Sequence, residues 1–578
     1  MNPRALVAAL QTKDFASRKA ILEELRNEFD VTNADNQNGS VVEHHNGFNG
    51  NNHNGGNRNN GDIMRDEDDP SCCYPVLLRL AYECPFKDVR FACEDVLKRL
   101  ENRGVRIPRR KNIGPTRFIP PKECIGIDSD DEEIQSLFVD AFLINGRVSH
   151  INQLLAYHPR YLSCFLKSES HLMTSNGALP RDWRYYIGIM AASKHCCMYL
   201  VDECREMFLL MQGNPAWLEG IDYVPLKLRK LDALNRLLAH QPWQSTEQSI
   251  KELLVGGPPS ETWTVSELTH AVVIMGHYLT LSGLVLSTGT NPEIDTPHGH
   301  STRSASTSSS GSEPLTPTKL RNSVIIEPSP SLENAGTTAA VCERIKRVQQ
   351  AELEAEEDEE DEVKLRHFQE LESKECEEDE TPGHTCGDSD VTTQGHGPAT
   401  TSHYCNRFNV DNEKFQYEEY IKMKPKNSEV FREQDFNWQE HCFPFLNRSF
   451  PNVAHMLDEK FNCSYELTYR NVGDITNIDT TKFRLATWNY IHLLYGIYHD
   501  DYLYEEVNTL LEKSYKSYIK KVACYPERIL SADFEFTDFL PSEKIHINML
   551  VLEARFQAII LYATRSIVSY MNRCNNGS

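Results

Sequence analysis

The sequence lacks the excess of positive charge that is typical of a protein binding nucleic acids. Its 60 lysine and arginine residues are outnumbered by 84 aspartate and glutamate residues, which gives a formal net charge of −24. A nucleic-acid-binding domain usually carries a basic patch that neutralises phosphates. The acidic charge is uneven, because residues 352–380 hold 16 acidic and 3 basic residues. The rest of the chain is therefore only mildly acidic.

The sequence also lacks a regular cysteine framework, and its first residues do not resemble a signal peptide. Its 17 cysteines are odd in number and irregular in spacing, which argues against a disulfide-stapled secreted domain. Residues 1–15 contain Arg4, Lys13 and Asp14 but no long apolar core. We therefore expect reduced thiols and a cytoplasmic protein, with the nucleus as a further candidate location.

Long hydrophobic runs are absent as well. The most apolar stretch, residues 271–286, is interrupted by polar residues such as His277 and Thr280. It is shorter than the roughly 18 residues that a membrane-spanning helix needs. This pattern predicts a buried core helix and no membrane span.

Two long segments are too polar to build a core. Residues 33–70 are of low complexity and rich in Asn and Gly, and residues 291–402 join a Ser/Thr-rich tract to the acidic run. Neither can bury enough apolar surface to offset the entropy of ordering. We therefore expect a partly disordered N-terminal extension over 1–114 and a disordered linker over 291–402, within which 339–372 could form a charged, solvent-exposed helix.

The remaining chain forms two blocks, 115–290 and 403–575, whose apolar residues recur at helical spacing. After Pro541, for example, Ile547, Leu550 and Ala554 recur every three or four residues. Strand-like alternation is hard to find, so we predict an all-α protein. The blocks also resemble each other weakly, because Trp183-Arg184 and Phe483-Arg484 each lead into a long apolar helix.

Several longer strings carry a resemblance to a known family. YIGIMAASKHCCMYLV and NPAWLEGIDYVPLKLRKLDALNRLLAHQPW in the first block resemble the first half of sestrins. In the second block, LTYRNVGDITNIDTTKFRLATWNYIHLLYGIYHDDY and SEKIHINMLVLEARFQAIILYA resemble the second half. The resemblance implies two helical subdomains similar to the alkylhydroperoxidase and carboxymuconolactone decarboxylase type. We expect no cofactor. We also expect no metal, because no second Cys/His pair of suitable spacing follows the vicinal Cys196-Cys197 pair.

The family resemblance also implies a function. Sestrins are stress-responsive leucine sensors that restrain TOR complex 1 by leucine-sensitive binding to the GATOR complex 2, with AMP-activated protein kinase as a further candidate partner. The alternative is an alkylhydroperoxidase-like antioxidant enzyme that uses Cys197.

A leucine site needs a cation, an anion and an apolar cup, because a buried unpaired charge is very costly. The resemblance implies that Arg484 binds the carboxylate, which suits its planar fork, and that Glu543 binds the ammonium. It implies a binding set of Thr468, Tyr469, Arg470, Asn471, Thr480, Phe483, Arg484, Phe536, Glu543 and His546. Of these, the lid over the ligand begins at Thr468.

Three of these residues also have an ordinary interpretation. Arg484 could be a solvated helix residue, Glu543 could favour a helix dipole, and Thr480 could be an N-cap.

Asn471 and Phe483 stand where the family usually has threonine and leucine. Since a lost contact costs about 1–1.5 kcal/mol, we predict weak-to-moderate leucine affinity.

The acidic pair Asp500-Asp501 matches family residues that contact the GATOR complex 2. The ordinary interpretation of such a pair is a solvated helix end. The resemblance therefore supplies the partner, and the residues supply only an exposed negative charge.

A candidate redox site lies in the string His195-Cys196-Cys197-Met198-Tyr199, which we expect to lie within an apolar helix. Cys197 matches the family's proposed peroxidatic cysteine and Tyr199 its neighbouring tyrosine. Cys204 replaces the expected histidine, which removes the general base but could act as a resolving thiol. The alternative is that these are buried core cysteines, which are common in helical proteins.

Overall fold

A computed structural model describes most of the two helical blocks and part of the N-terminal region. The described residues are 3–31, 70–111, 113–296, 298–301, 338–354, 368–369, 404–410, 417–423, 431–467, 471–535 and 537–576. The predicted low-complexity segment at 33–70 lies outside this range except for its last residue. Most of the predicted linker at 291–402 also lies outside it, as do the candidate lid residues Thr468, Tyr469 and Arg470, together with Phe536.

The prediction of an all-α protein is confirmed. The described residues form 21 α-helices and six strands of two residues each. The chain divides into two compact units, of which unit 1 comprises 1–113, 125–153 and 292–316, and unit 2 comprises 114–124, 154–291 and 317–578. Both predicted helical blocks contribute their cores to unit 2.

Unit 1 is assembled from helices with well-marked ends. Asp131 caps α5 by accepting hydrogen bonds from the backbone N–H groups of Glu133 and Ile134, and Gly146 ends this helix in the left-handed conformation. Two strands, β1 (Arg109–Arg110) and β2 (His300–Ser301), pair antiparallel. The helices that begin in this unit are α1 (Pro3–Leu10), α2 (Phe15–Val31), α3 (Tyr74–Glu83), α4 (Lys87–Asn102), α5 (Glu132–Asn145) and α6 (His150–Leu155).

The first block of unit 2 is built around one long apolar helix, α12. A capping box between Thr264 and Glu267 starts it, and nearly every following residue is buried. This is the core helix that the apolar stretch at 271–286 predicts. The helices of this block are α7 (Pro159–Thr174), α8 (Arg181–Lys194), α9 (Met198–Leu210), α10 (Leu226–His240), α11 (Glu247–Leu254) and α12 (Val265–Ser287).

The second block of unit 2 ends in another long helix, α21, on which the rest of the block packs. Strand β3 (Phe431–Arg432) pairs in parallel with β6 (Ile497–Tyr498), and β4 (Asn471–Val472) pairs antiparallel with β5 (Ile475–Thr476) to form a short hairpin. The helices are α13 (Thr338–Glu354), α14 (Tyr420–Met423), α15 (Phe443–Ser449), α16 (Pro451–Glu466), α17 (Thr481–Leu494), α18 (Glu505–Leu510), α19 (Lys513–Cys524), α20 (Ser531–Phe534) and α21 (Pro541–Asn576).

Helices α12 and α21 pack against each other and bring the two blocks together. Gly276 allows the close approach, because a Cβ at this position would lie 2.7 Å from Cε2 of Phe556. Both helices are long and apolar enough to cross a membrane by length and composition alone, but 100% and 94% of their most apolar windows are buried inside the protein. Burial in the core therefore accounts for their composition.

Helix α13 lies inside the predicted linker. The sequence suggests a solvent-exposed helix over 339–372, whereas the described helix spans Thr338–Glu354 and buries one face. Val341, Ile345 and Val348 lie on that buried face, and the helix packs against the β4–β5 hairpin and α18. A segment of the linker is thus part of the second block.

Candidate functional site

The second block contains a partly open cavity whose lining mixes charged, polar and apolar side chains. Its empty space, counted together with the open solvent at its mouth, is about 380 Å³. Six of the predicted leucine-binding residues line it, whereas the other four lie outside the described residues. The lining residues are Val341, Asn471, Val472, Thr480, Phe483, Arg484, Phe539, Glu543, His546, Ile547 and Leu550.

Arg484 is buried in the cavity wall and is held by neutral oxygen atoms. Its side chain is only 4% exposed. Its guanidinium donates to Oγ1 of Thr480 over 3.2 Å, to Oγ1 of Thr481 over 3.1 Å and to the backbone carbonyl of Tyr465. Burial lowers the pKa of Arg484, although Tyr465 and Asp479 oppose this effect. Among the described residues, no acidic side chain forms an ion pair with Arg484.

Glu543 is the acidic counterpart of Arg484 in the same cavity. It is 7% exposed and accepts two backbone hydrogen bonds of 2.8 Å, from the N–H groups of Gly473 in the hairpin and of Leu540. Burial raises the pKa of Glu543, and the nearby carboxylates of Asp538 and Asp474 raise it further against those two hydrogen bonds. Within the part of the chain that the structure describes, no basic side chain pairs with it.

The cavity therefore presents one cation and one anion whose charges the described side chains leave uncompensated. A buried charge is strongly disfavoured without an opposite charge. A ligand that carries both an ammonium and a carboxylate would compensate both residues at once. The ordinary interpretation of Arg484 as a solvated helix residue does not hold, since the side chain is buried.

The remaining wall of the cavity is apolar and comes from five separate parts of the block, one of which is Val472 in β4. Val341 projects from α13, Phe539 precedes α21, and Ile547 and Leu550 lie within α21. Phe483 packs its ring 5.0 Å from that of Tyr515. The helical spacing singled out Ile547 and Leu550 as core residues. By contrast, no signal in the sequence connected Val341 or Phe539 with this site.

Thr480 and His546 complete the polar part of the wall. Thr480 occupies the N-cap position of α17, but its side chain makes no capping hydrogen bond and instead accepts the bond from Arg484. Nε2 of His546 lies 3.2 Å from the backbone carbonyl oxygen of Ser464. Burial lowers the pKa of His546 to about 3. The imidazole is therefore neutral near pH 7 and adds no charge to the cavity wall.

The first block contains the same arrangement of side chains. Arg184 and Arg484 are each the fourth residue of a 14-residue helix, α8 and α17. Each guanidinium donates to a backbone carbonyl in the last turn of the preceding 16-residue helix, at Leu172 in α7 and at Tyr465 in α16. The weak internal similarity of the sequence thus corresponds to a repeated set of contacts.

The repeat extends to the acidic residue and the histidine. Glu267 and Glu543 each accept a backbone N–H from the residue three positions earlier. His270 and His546 each follow the glutamate by three positions, and each lies against a carbonyl in the last turn of α7 or α16. In the first block the carboxylate of Glu267 binds the ammonium of Lys227 at 2.8 and 2.9 Å.

The ion pair between Glu267 and Lys227 makes the pKa of Glu267 differ from that of Glu543. Burial alone would raise the pKa of Glu267, but the hydrogen bonds from Lys227 and Thr264 bring it below its ordinary value. Glu543 has no such lysine among the described residues, and its pKa is raised. The first copy thus has an ammonium group of its own beside the carboxylate, whereas no described residue places one beside Glu543 in the second copy.

The candidate partner residues lie at the surface of the second block. Asp500 and Asp501 are both exposed and follow strand β6 instead of ending a helix. Asp500 forms an ion pair of 2.9 Å with Arg432. Both aspartates are therefore accessible, but nothing in their geometry identifies a partner.

Comparison with known proteins decides the family. A family model described as PA26 p53-induced protein (sestrin) matches residues 114–571. This chain belongs to the sestrin family. The resemblance seen in the sequence is thereby confirmed, and the protein is a sestrin-type regulator.

The alignments with three curated relatives cover nearly the whole length of each relative. Sestrin-1 of Xenopus laevis is 34% identical over 505 residues, which is 86% of this chain and 100% of the relative. Human Sestrin-2 is 37% identical over 474 residues, 82% of this chain and 93% of the relative. Mouse Sestrin-3 is 36% identical over 487 residues, 83% and 96% respectively.

In this sestrin the candidate redox cysteines are buried. The expectation that they lie within one helix is wrong, because α8 ends at Lys194 and α9 begins at Met198, with Cys196 in a left-handed conformation between them. Cys197 is fully buried, and burial raises its pKa to about 12. Burial also places the pKa of Cys204 well above its ordinary value.

A peroxidatic cysteine reacts as an accessible thiolate, and Cys197 has neither property in this conformation. Tyr199, which matches the family's tyrosine beside that cysteine, is partly exposed. A peroxidase activity in this sestrin stays a prediction that the geometry does not favour.

We expect Cys197 to resist alkylation in the native protein. Iodoacetamide at pH 7, followed by peptide mass spectrometry, should label the exposed Cys574 within minutes and Cys197 at least about a hundredfold more slowly, because the thiolate of a group with so high a pKa is scarce. Labelling after unfolding in urea serves as the control for peptide recovery. Comparable labelling of both cysteines in the native protein would contradict the burial described above.

Proposed function

We propose that this sestrin is an intracellular sensor of free leucine that restrains TOR complex 1 through leucine-sensitive binding to the GATOR complex 2. One observation supports leucine sensing: Arg484 and Glu543 both line the same cavity. Each is buried without an opposite charge from the described residues. The proposed location is the cytoplasm, with the nucleus as a second site, and AMP-activated protein kinase is a further proposed partner.

Leucine matches the three demands of the cavity. Its carboxylate would accept from the N–H groups of Arg484 that Thr480, Thr481 and Tyr465 leave free, since a guanidinium has five donors. Its ammonium would take the position at Glu543 that Lys227 takes at Glu267. Its branched side chain would lie against Val341, Phe539, Ile547 and Leu550.

The affinity follows from size and contacts. Leucine has about nine non-hydrogen atoms, and a small ligand gains at most roughly 1 kcal/mol per atom, so a micromolar Kd is attainable. Phe483 and Asn471 are the two departures from the usual family pattern. Phe483 narrows the apolar part of the cavity on the side where its ring packs against Tyr515. Asn471 is exposed at the mouth of the cavity. We therefore propose weak-to-moderate affinity.

The regulatory half requires that leucine favour one conformation over another. The site is suited to this because its walls come from separate elements: the hairpin through Val472, α17 through Arg484, α21 through Glu543 and the linker helix α13 through Val341. A zwitterion held between α17 and α21 would draw these elements together. The free energy of binding would then stabilise the closed arrangement, and partner binding would respond.

Replacement of Glu543 by Gln should weaken leucine binding, because the variant keeps the shape and the hydrogen-bonding oxygen but loses the charge that compensates the ammonium. Isothermal titration calorimetry with free leucine should show a loss of affinity of at least about tenfold, the cost of one charge-assisted hydrogen bond. The matched control is Glu267→Gln, the equivalent position of the first copy, which should bind leucine as the wild type does. Equal binding by both variants would remove the basis of the proposed site.

Leucine affinity should fall on acidification at a pH above the ordinary glutamate pKa of 4.5. The pKa of Glu543 is raised in the free protein, so its carboxylate protonates early, while leucine stays zwitterionic and His546 stays neutral. Since the bound ammonium would favour the ionised form, binding near this pKa should release protons.

Calorimetry in buffers of different ionisation enthalpy measures that release. Far-ultraviolet circular dichroism at each pH provides the control for folding. An affinity that stays constant down to pH 4.5, without proton release, would argue against Glu543 as the ammonium ligand.

Replacement of Asp500 and Asp501 together by Asn should weaken capture of purified GATOR complex 2 by at least about tenfold, through loss of two exposed negative charges at the contact. The leucine affinity of this double variant should not change. The control is Glu23→Gln with Glu24→Gln, an exposed acidic pair in α2. Unchanged capture by the Asp500 and Asp501 variant would mean that the partner uses another surface.

A further inference from the structure

Unit 1 is assembled from three stretches of chain, and two buried polar junctions each take one residue from every stretch. The first joins Arg79, Arg147 and Asp295: both guanidinium groups pair with the Asp295 carboxylate, at 2.8 and 3.2 Å. The second joins Glu83, His150 and Glu293, which are all buried. The three stretches are 1–113, 125–153 and 292–316.

The second junction has the donor set of a metal site. Nε2 of His150 lies 3.0 Å from Oε1 of Glu83, and the backbone N–H of His150 donates to Oε1 of Glu293 over 2.8 Å. One potential ligand atom from each of the three side chains lies within 4.8 Å of the others. Zinc binds imidazole nitrogen and carboxylate oxygen at roughly 2.0–2.2 Å. Two atoms bound to one ion at that distance lie roughly 3.4 Å apart in a tetrahedral site, so side-chain shifts of up to about 1 Å would bring all three atoms onto one ion.

One atom of this junction is left without a donor. Oε2 of Glu83 is buried and has no hydrogen-bond partner among the described residues, although Glu83 is only 7% exposed. A protonated His150 would not remove this defect, because its Nε2–H group would donate to Oε1 of Glu83 and leave Oε2 as it is. A metal ion can take either carboxylate oxygen, or both.

We propose that Glu83, His150 and Glu293 bind a divalent transition-metal ion of the zinc type. The ion would be structural, because it would tie together the end of α3, the start of α6 and the segment after α12. It is separate from the leucine cavity, whose residues all belong to unit 2.

The test uses the full-length protein with its thiols reduced, freed of metal with a chelator and titrated with Co²⁺ as a spectroscopic probe. Nitrogen and oxygen ligands should produce weak visible bands at equimolar Co²⁺, without the intense near-ultraviolet band of a cobalt–thiolate site. This distinction matters because the chain has 17 cysteines. Zn²⁺ should then displace the cobalt and raise the Tm.

Glu83→Gln and His150→Gln should each reduce metal affinity by at least about ten- to a hundredfold, which is the loss that removal of a partner behind a ligand already causes. His158→Gln, which changes a buried histidine outside the junction, should bind the ion like the wild type. Three outcomes would overturn the proposal: no equimolar binding by the wild type, a thiolate band in its cobalt spectrum, or undiminished binding by both variants. If the variants fail to fold, the wild-type spectrum alone decides.

Discussion

The candidate site depends on one electrostatic constraint, which is a buried guanidinium held in place by neutral oxygen atoms. Thr480, Thr481 and the Tyr465 carbonyl fix the position of Arg484 without compensating its charge. A carboxylate of the protein at this position would compensate the charge of Arg484, and the carboxylate of a ligand would then gain little by binding. Because the oxygens are neutral, the residue keeps its orientation while its charge stays available. Glu543 is held in the same way, by backbone N–H groups.

The repeated contacts of the two blocks give this constraint a context. Arg184, Glu267 and His270 reproduce the geometry of Arg484, Glu543 and His546, yet the first copy satisfies its carboxylate with Lys227. Lys227 also lies 5.2 Å from the centre of the Trp263 ring, so side chains of the protein occupy the region next to Glu267. One scaffold therefore supports a closed core in one half and an open cavity in the other. The difference rests on a few side chains, and the helices are alike.

The linker has a larger part in the second block than its composition suggests. Most of it is polar, but α13 buries Val341, Cys342, Ile345 and Val348 and supplies one wall of the cavity. Its first residue, Thr338, also donates its backbone N–H to Asp538 over 2.9 Å, close to the start of α21. The site is thus completed by a segment that lies far from its other residues in the chain.

The sequence by itself determined the helical class, the long core helices and the family. Each of these is written locally: apolar residues at three- and four-residue spacing define α12 and α21, and long strings of residues carry the family. It also identified Arg484 and Glu543, although only through the resemblance, since neither residue differs by itself from a surface residue of a helix.

The tertiary structure decided what those residues do. Burial and hydrogen-bond partners depend on which helices pack together, and no periodicity reports that. The raised pKa of Cys197, the cation that Glu267 has and Glu543 lacks, and the contribution of Val341 all arise from contacts between distant segments. The turn at Cys196, which divides one expected helix into α8 and α9, is likewise a result of packing. The physical reason is common to all of them: propensity and spacing act along the chain, whereas desolvation and charge compensation act across it.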